Sequence, residues 1–413
     1  LADLMAVTPA AVGAGASTDF VRAVVDQRVI KSAEEVAEIE RAVETSVAMH
    51  EAAIRMARPG MTEADVAAEV GRIAEAAGGR TSFPIIATIH GETLHNHVHV
   101  NTLADGDLFL LDAGAETAMG YAGDLSSTFP VGRRFSERQR TIYELQLAAQ
   151  VAAVDTLAPG VPFREAHFAS SRVIFDGLKD LGVMKGDTDE ALAAGAHAMV
   201  FPCGVGHMMG LDVHDMENLG EVWVGYDGEP KSTQFGLKSL RLARELKPGF
   251  VLTVEPGIYF IPQLMDLWRS AGRCADFIDF DELDKWRDFG GVRNEEDFLM
   301  PAERVDRTGD VRLEVTHRAE PPEGPIKLLR IGKIPGQRLS SRVVVVVPAD
   351  GGDAAEADRI RRVQLVRTGG AEGIAPAARR GGNGLILRLQ RGSVLEAEVH
   401  RLVVGGSADG ANL

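Results

Sequence analysis

The chain has 413 residues, of which 45% are hydrophobic and 25% charged, and a formal net charge of −16. That acidity speaks against nucleic acid as a partner, since phosphate binding wants a basic face. No run of about 18 apolar residues is present to span a membrane, and two cysteines, Cys203 and Cys274, are too few for a disulfide framework and fit a reducing, cytoplasmic compartment.

Residues 1–17 are small and apolar without a positive leading region, and read as a truncated start rather than an export signal. Ser32, with Glu35 three residues on, caps a helix whose apolar positions Val36, Ile39, Val43 and Val47 share one face. Arg58, Pro59 and Gly60 end it. Thr62 with Asp65 caps a second helix, which Gly78 and Gly79 stop. The pattern then returns. Residues 137–157 read as a helix, Ala158, Pro159 and Gly160 break it, and another helix follows to about Gly182. This recurrence predicts an internal duplication. Residues 108–111 and 250–254 are short apolar runs that lead into an acid, as buried strands do at the edge of a site.

Residues 201–215 read Phe-Pro-Cys-Gly-Val-Gly-His-Met-Met-Gly-Leu-Asp-Val-His-Asp. Glycines here let the backbone turn tightly and approach a ligand closely. His207 and His214 read either as a metal ligand and a proton carrier or as a core histidine and a helix-start residue. Asp112, Asp124, Glu255 and Glu295 lie elsewhere in apolar or glycine-flanked segments. Buried carboxylates without partners are costly, so they are usually paired or metal-bound. The tail differs: no Phe, Tyr or Trp follows Pro301, and its basic residues outnumber its acidic ones. A basic binding appendage is one reading, and a poorly packed or disordered extension is the reading preferred.

The order Asp112, Asp124, His207, Glu255, Glu295 resembles the ligand set of the pita-bread metallopeptidases, which include Xaa-Pro aminopeptidase, Xaa-Pro dipeptidase (prolidase) and methionine aminopeptidase. The likeness runs from about residue 30 to about residue 300. It implies an α+β pita-bread fold with a pseudo-twofold pair of halves. It also implies a remnant of an amino-terminal domain over residues 1–30, a catalytic domain over 31–318 and an unassigned tail over 319–413. By the same resemblance Asp112 holds one divalent metal ion and His207 with Glu255 the other, with Asp124 and Glu295 bridging. An oxygen-rich set with one imidazole suits manganese, cobalt or zinc, and manganese is the expectation. Glu255 then serves as general base. His95, in Leu94-His95-Asn96-His97, and His214 match histidines that meet the substrate. A water-facing loop is the other reading of this segment, and the one preferred for His97 and His99. Arg293 matches an arginine near the site, with a structural ion pair as its other reading.

Two positions depart from the pattern. Cys203 stands where many Pro-directed members carry His, and Asn294 where an aliphatic residue is usual between Arg293 and Glu295. The upstream remnant argues against methionine aminopeptidase, and the complete ligand set argues against creatinase. The expected activity is an Xaa-Pro aminopeptidase acting on peptides with an Xaa-Pro amino terminus. Prolidase is the alternative, and a non-catalytic peptide-binding pita-bread protein is a third reading. No membrane is expected as a partner, and a homodimer is compatible with the fold.

Overall fold

In a computed structural model of the chain, residues 4, 6–132 and 134–300 are described, together with two strands of the tail, Ile326–Ile331 and Val343–Pro348. The chain divides into two compact units: Leu1–Arg304 with Gln337–Ser341, and Val305–Gly336 with Arg342–Leu413. In the second unit the tail strands pair antiparallel, from Ile326 opposite Pro348 to Ile331 opposite Val343. The expectation of a poorly packed extension otherwise lies outside the described residues.

The first unit opens with helices α1 (Pro9–Ala14) and α2 (Thr18–Arg28), then α3 (Ala33–Met56) and α4 (Glu63–Ala76). The two capping boxes form as the residues dictate: Ser32 with Glu35 on α3, Thr62 with Asp65 on α4. Strand β1 (Arg80–Thr81) pairs with β4 (Ala115–Glu116). Strands β2 (Ile86–Thr88), β3 (Leu108–Asp112) and β5 (Ser126–Pro130) make an antiparallel sheet with β3 central, every residue of it buried.

A second helical pair follows: α5 (Glu137–Val154), capped by Ser136 and Gln139, and α6 (Arg164–Asp180). Beyond α7 (Thr188–Ala194) and the single turn α8 (Glu221–Val224) come strands β6 (Val251–Val254) and β7 (Gly257–Tyr259). Helices α9 (Pro262–Ser270) and α10 (Phe280–Asp284) occupy the Trp-bearing insertion, and β8 (Gly291–Arg293) and β9 (Glu296–Leu299) close the unit. β6 pairs with β9 and β7 with β8, both antiparallel. Helix pair, then strands, twice over: this is the recurrence visible in the sequence, in an α+β architecture.

The halves meet strand to strand. Ser126 of β5 forms an antiparallel bridge with Glu295. Thr128 Oγ1 donates to the Arg293 carbonyl (2.8 Å) and accepts from the Arg293 N–H (3.1 Å). Fully buried Phe163, Phe175, Phe201, Phe250, Phe260 and Trp268 fill the core of the second half. Each such side chain contributes roughly 1.5–3 kcal/mol relative to exposure.

A buried charge cluster fixes the loop that carries the two histidines of residues 201–215. Lys31 Nζ lies 2.8 Å from Asp215 Oδ2, and Arg28 Nη2 lies 2.6 Å from Asp215 Oδ1. Gly210 is required beside them, because a Cβ there would meet Asp215 Oδ2 at 2.6 Å and Lys31 Cε at 2.8 Å. Removing one partner of a buried ion pair typically costs about 3–5 kcal/mol.

Candidate metal centre

The five residues singled out as ligands sit at strand ends and on segments flanking them. Asp112 ends β3, and Asp124 lies two residues before β5. His207 runs alongside β6: its carbonyl accepts from the Thr253 N–H (2.9 Å), and the Met209 N–H donates to the Val251 carbonyl (3.0 Å). Gly206 permits that closeness, since a Cβ there would stand 2.0 Å from the Thr253 oxygen. Glu255 follows β6, its N–H donating to the Val205 carbonyl (2.7 Å), and Glu295 lies between β8 and β9.

Ligand atoms of Asp124, His207 and Glu295 all lie within 4.8 Å of one another. His207 Nε2 is 3.3 Å from Asp124 Oδ2, and 3.9 Å from both Glu255 Oε1 and Glu295 Oε1. Its other nitrogen, Nδ1, faces the Met208 carbonyl at 3.0 Å. A carbonyl only accepts, so in the neutral ring Nδ1 carries the proton and the Nε2 lone pair faces three carboxylates. Burial holds this imidazole down to a pKa of about 4, so the neutral form is the relevant one. Donor electron pairs aimed at one another need either a shared proton or a metal cation between them.

The carboxylates tell the same story. Asp112 Oδ1, Asp124 Oδ1 and Glu295 Oε1 are buried without a hydrogen-bond partner among the described residues. Burial, and then the neighbouring acids, push Asp124 and Glu295 well above the usual carboxylate range. Glu255 rises to about 7, chiefly through burial, with Arg293 acting in the opposite direction. Divalent cations would reverse each of these shifts. The donor set, hard oxygens with one imidazole, fits manganese, cobalt or zinc.

Around this cluster the structure brings together most of the expected substrate residues. His214 stacks edge-on to His207 with ring centroids 4.3 Å apart, and its Nδ1 is 3.4 Å from Glu217 Oε2. His95 is on the exposed rim, where partial burial first and the Arg293 charge next lower its pKa. His97 faces solvent as the loop reading expects, whereas His99 is partly buried, with Nε2 3.0 Å from the Ile85 carbonyl. Arg293 is buried in an ion pair with Asp112, donates from Nε to Ser126 Oγ (2.9 Å) and from Nη1 to the Tyr259 hydroxyl (3.0 Å). Its ion-pair reading is therefore realised within the site itself. Asn294 is buried and satisfied: it accepts from the Thr128 N–H (3.2 Å) and donates to Gln146.

Three residues of the site were not legible in the sequence reading. Asp297 is buried and accepts from the Asp124 N–H (3.1 Å). Its signal was its place in the run of three acids Glu295, Glu296 and Asp297. Tyr259 carries the hydroxyl between Arg293 and the region of Cys203. Arg241, ion-paired with Glu217, is close enough to act electrostatically on His95, His207, His214 and Glu255. Nothing in the local sequence marked either of them.

Residues 37–302 match the family described as metallopeptidase family M24. Mouse Xaa-Pro dipeptidase is 39% identical over 199 residues, spanning 48% of this chain and 39% of that protein. Xaa-Pro aminopeptidase of Escherichia coli K12 is 37% identical over 254 residues, 60% of this chain and 53% of that protein. This chain thus spans about half or less of the length of these relatives. Among solved structures, Pseudomonas aeruginosa aminopeptidase PepP superposes with a TM-score of 0.56 at 35% identity, covering 68% of this chain and 56% of that one. A zinc-substituted E. coli aminopeptidase P in complex with product superposes with a TM-score of 0.57 at 34% identity, over 68% and 57% of the two chains. The architecture is the pita-bread fold of these neighbours.

Proposed function

The chain belongs to metallopeptidase family M24, and from that premise we propose that it is a dinuclear-metal Xaa-Pro aminopeptidase. It removes the amino-terminal residue from peptides with proline second. The observation that carries the reading is the His207 Nε2 lone pair facing Asp124, Glu255 and Glu295 within 3.3–3.9 Å. Asp112, Asp124, His207, Glu255 and Glu295 hold two divalent ions, with manganese the first choice and cobalt or zinc next. Such a pair, when bound, supplies a nucleophilic water at neutral pH and stabilises charge that develops on the substrate carbonyl.

The remaining steps belong to the chain's own side chains. Glu255 is the most solvent-exposed of the four carboxylates, with 21% of its side chain exposed, and it takes the proton from the attacking water. His95 and His214 border the cluster and donate to the substrate. Arg293 occupies one oxygen of Asp112 and leaves the other, Oδ1, for the ion. The two unpaired cysteines fit a cytoplasmic protein.

One observation favours a second reading, Xaa-Pro dipeptidase. The Arg241 cation, paired with Glu217, acts electrostatically on His214 and Glu255 and would take the free carboxylate of a dipeptide in exchange for that partner. Two measurements decide. Metal analysis of the purified protein should find close to two divalent ions per chain; protein without metal and without hydrolysis would instead be a peptide-binding relative. Turnover of Xaa-Pro dipeptides against longer Xaa-Pro peptides separates the two enzymes. If dipeptides win, Arg241→Met should raise their KM while leaving longer peptides unaffected.

A further inference from the structure

Glu255 and Glu295 share a weakness of placement. Glu255 falls between the end of β6 at Val254 and the start of β7 at Gly257. Glu295 falls between Arg293, which ends β8, and Glu296, which starts β9. Neither belongs to a named strand. Both are nevertheless surrounded by like charges that would drive them apart.

Helix α5 adds to the single backbone hydrogen bonds that hold them, Glu255 N–H to the Val205 carbonyl (2.7 Å) and Glu295 N–H to the Ser126 carbonyl (3.1 Å). Gln146 and Gln150 are four apart, hence on one helix face, and both are buried. Gln150 Nε2 donates to the Val254 carbonyl at 3.3 Å, and Gln146 Nε2 donates to the Pro256 carbonyl at 2.7 Å. The two amides therefore grip the backbone immediately before and immediately after Glu255. Gln146 also accepts from the side chain of Asn294, the residue preceding Glu295. Asn294 in turn accepts from the Thr128 N–H at 3.2 Å on β5, the strand whose Ser126 Oγ donates to Glu295 Oε2 at 2.9 Å. One unbroken line of amides runs from the backbone around Glu255 to the backbone around Glu295. Buried amides are retained at a cost unless fully bonded, and these are bonded to the neighbours of the two glutamates.

We propose that Gln146, assisted by Gln150 and Asn294, is a positioning residue that sets the spacing of Glu255 and Glu295, and through it the affinity for divalent metal. This rests on the metallopeptidase reading. It also gives the departure at Asn294 a role: the amide is the partner that lets Gln146 reach both glutamate segments. Groups that orient metal ligands typically change metal affinity by about 10- to 100-fold when removed.

The test uses the full chain, stripped of metal and titrated with cobalt(II), followed by visible absorbance. Gln146→Leu should weaken cobalt binding by about 10- to 100-fold. It should lower kcat on an Xaa-Pro peptide with little change in KM. The double variant Gln146→Leu/Asn294→Ile removes the orphaned Asn294 amide and should recover only part of the lost melting temperature, since it leaves the Thr128 N–H and the Pro256 carbonyl unpaired. Its cobalt affinity should stay weak, because the Pro256 carbonyl is still ungripped. If Gln146→Leu does not fold, the double variant carries the test alone. Recovery of stability and cobalt affinity together would reduce the pair to a structural contact and overturn the proposal. So would a Gln146→Leu protein that binds cobalt as the unaltered chain does. If the unaltered chain itself takes up no metal, the metallopeptidase reading falls and the inference falls with it. If it binds metal and hydrolyses peptide while the variants match it, only the inference falls.

Discussion

Among the described residues, buried His207 and the buried pair His167 and His197 sit in environments of opposite character. His207 sits among carboxylates, its Nε2 3.3 Å from Asp124. His167 on α6 and His197 on the turn Ala196–Met199 face each other with ring centroids 5.6 Å apart, and Phe201 lies 5.0 Å from His167. All four ring nitrogens of that pair are buried without a hydrogen-bond partner among the described residues. Burial lowers all three imidazoles, His207 and His197 to about 4 and His167 to about 3. A depressed histidine therefore does not mark a site in this protein. What faces the lone pair does: oxygen donors in one case, phenyl rings in the other.

Removing an acid from around His207 breaks the comparison most severely. Glu295→Ala deletes a ligand placed 3.9 Å from His207 Nε2. At least one divalent ion should be lost, as read by elemental analysis. Hydrolysis of Xaa-Pro peptides should fall by several orders of magnitude, because the nucleophile depends on the ions. Full metal content in that variant would take Glu295 out of the bridge. His167→Phe, by contrast, should leave metal content unchanged.

The His167–His197 pair and the carboxylates around His207 should also give stability opposite slopes with pH. His167 and His197 titrate near 6.5 when unfolded and at about 3 and 4 when folded. The folded state then binds fewer protons than the unfolded one. Their contribution is fully present above pH 6.5 and is lost as pH falls towards 4, by about 1.4 kcal/mol per pH unit for each histidine. Asp124, Glu295 and Asp297 are raised when folded, so without metal their contribution is present in acid and lost as pH rises. Unfolding followed across pH should show His167→Phe with a lower acid midpoint than the unaltered chain and the same stability near pH 8. Added manganese should stabilise the metal-free chain more at pH 8 than at pH 5. An unchanged acid midpoint in His167→Phe would remove the pair as the acid-sensitive element.

The same contrast explains what the sequence could tell. Capping boxes at Ser32 and Thr62 are written within four residues, so the helix starts were legible and form as expected. The five acid and imidazole positions sit in apolar or glycine-flanked segments, where a charge is costly, and they became legible as a set through their ordered resemblance to the ligands of the pita-bread metallopeptidases. The amides of α5 did not stand out. Gln146 and Gln150 read as ordinary helix residues, and only the fold sets them against the segments around Glu255. Asn294 read as a misfit because its partner lies 148 positions away. His167 and His197 lie on separate elements, and the apolar pocket between them is a product of packing. Arg241 is likewise a long-range neighbour. Chemistry written in single residues was readable, while chemistry made by pairs distant in sequence was not.

Cys203 offers the finest test, because it asks whether a new imidazole among charged neighbours behaves as His207 does or as His167 does. Burial pushes the Cys203 thiol up to about 12, with the Glu255 charge adding to the rise and Arg293 and the Tyr259 hydroxyl opposing it. A neutral thiol is a weak donor, so a polar substrate group meeting this wall lacks a good partner. A missing hydrogen bond to a buried group costs about 1–3 kcal/mol. If that contact tightens in the transition state, the cost is roughly 5- to 150-fold in rate. Cys203→His places an imidazole beside Glu255, Arg293 and Tyr259 rather than beside phenyl rings. It should raise turnover of an Xaa-Pro peptide within that range and leave metal content unchanged, because position 203 is not among the five ligands. Equal turnover in the metal-loaded variant would mean that the wall of the site is already matched to cysteine, and that charged neighbours alone do not make a histidine functional here.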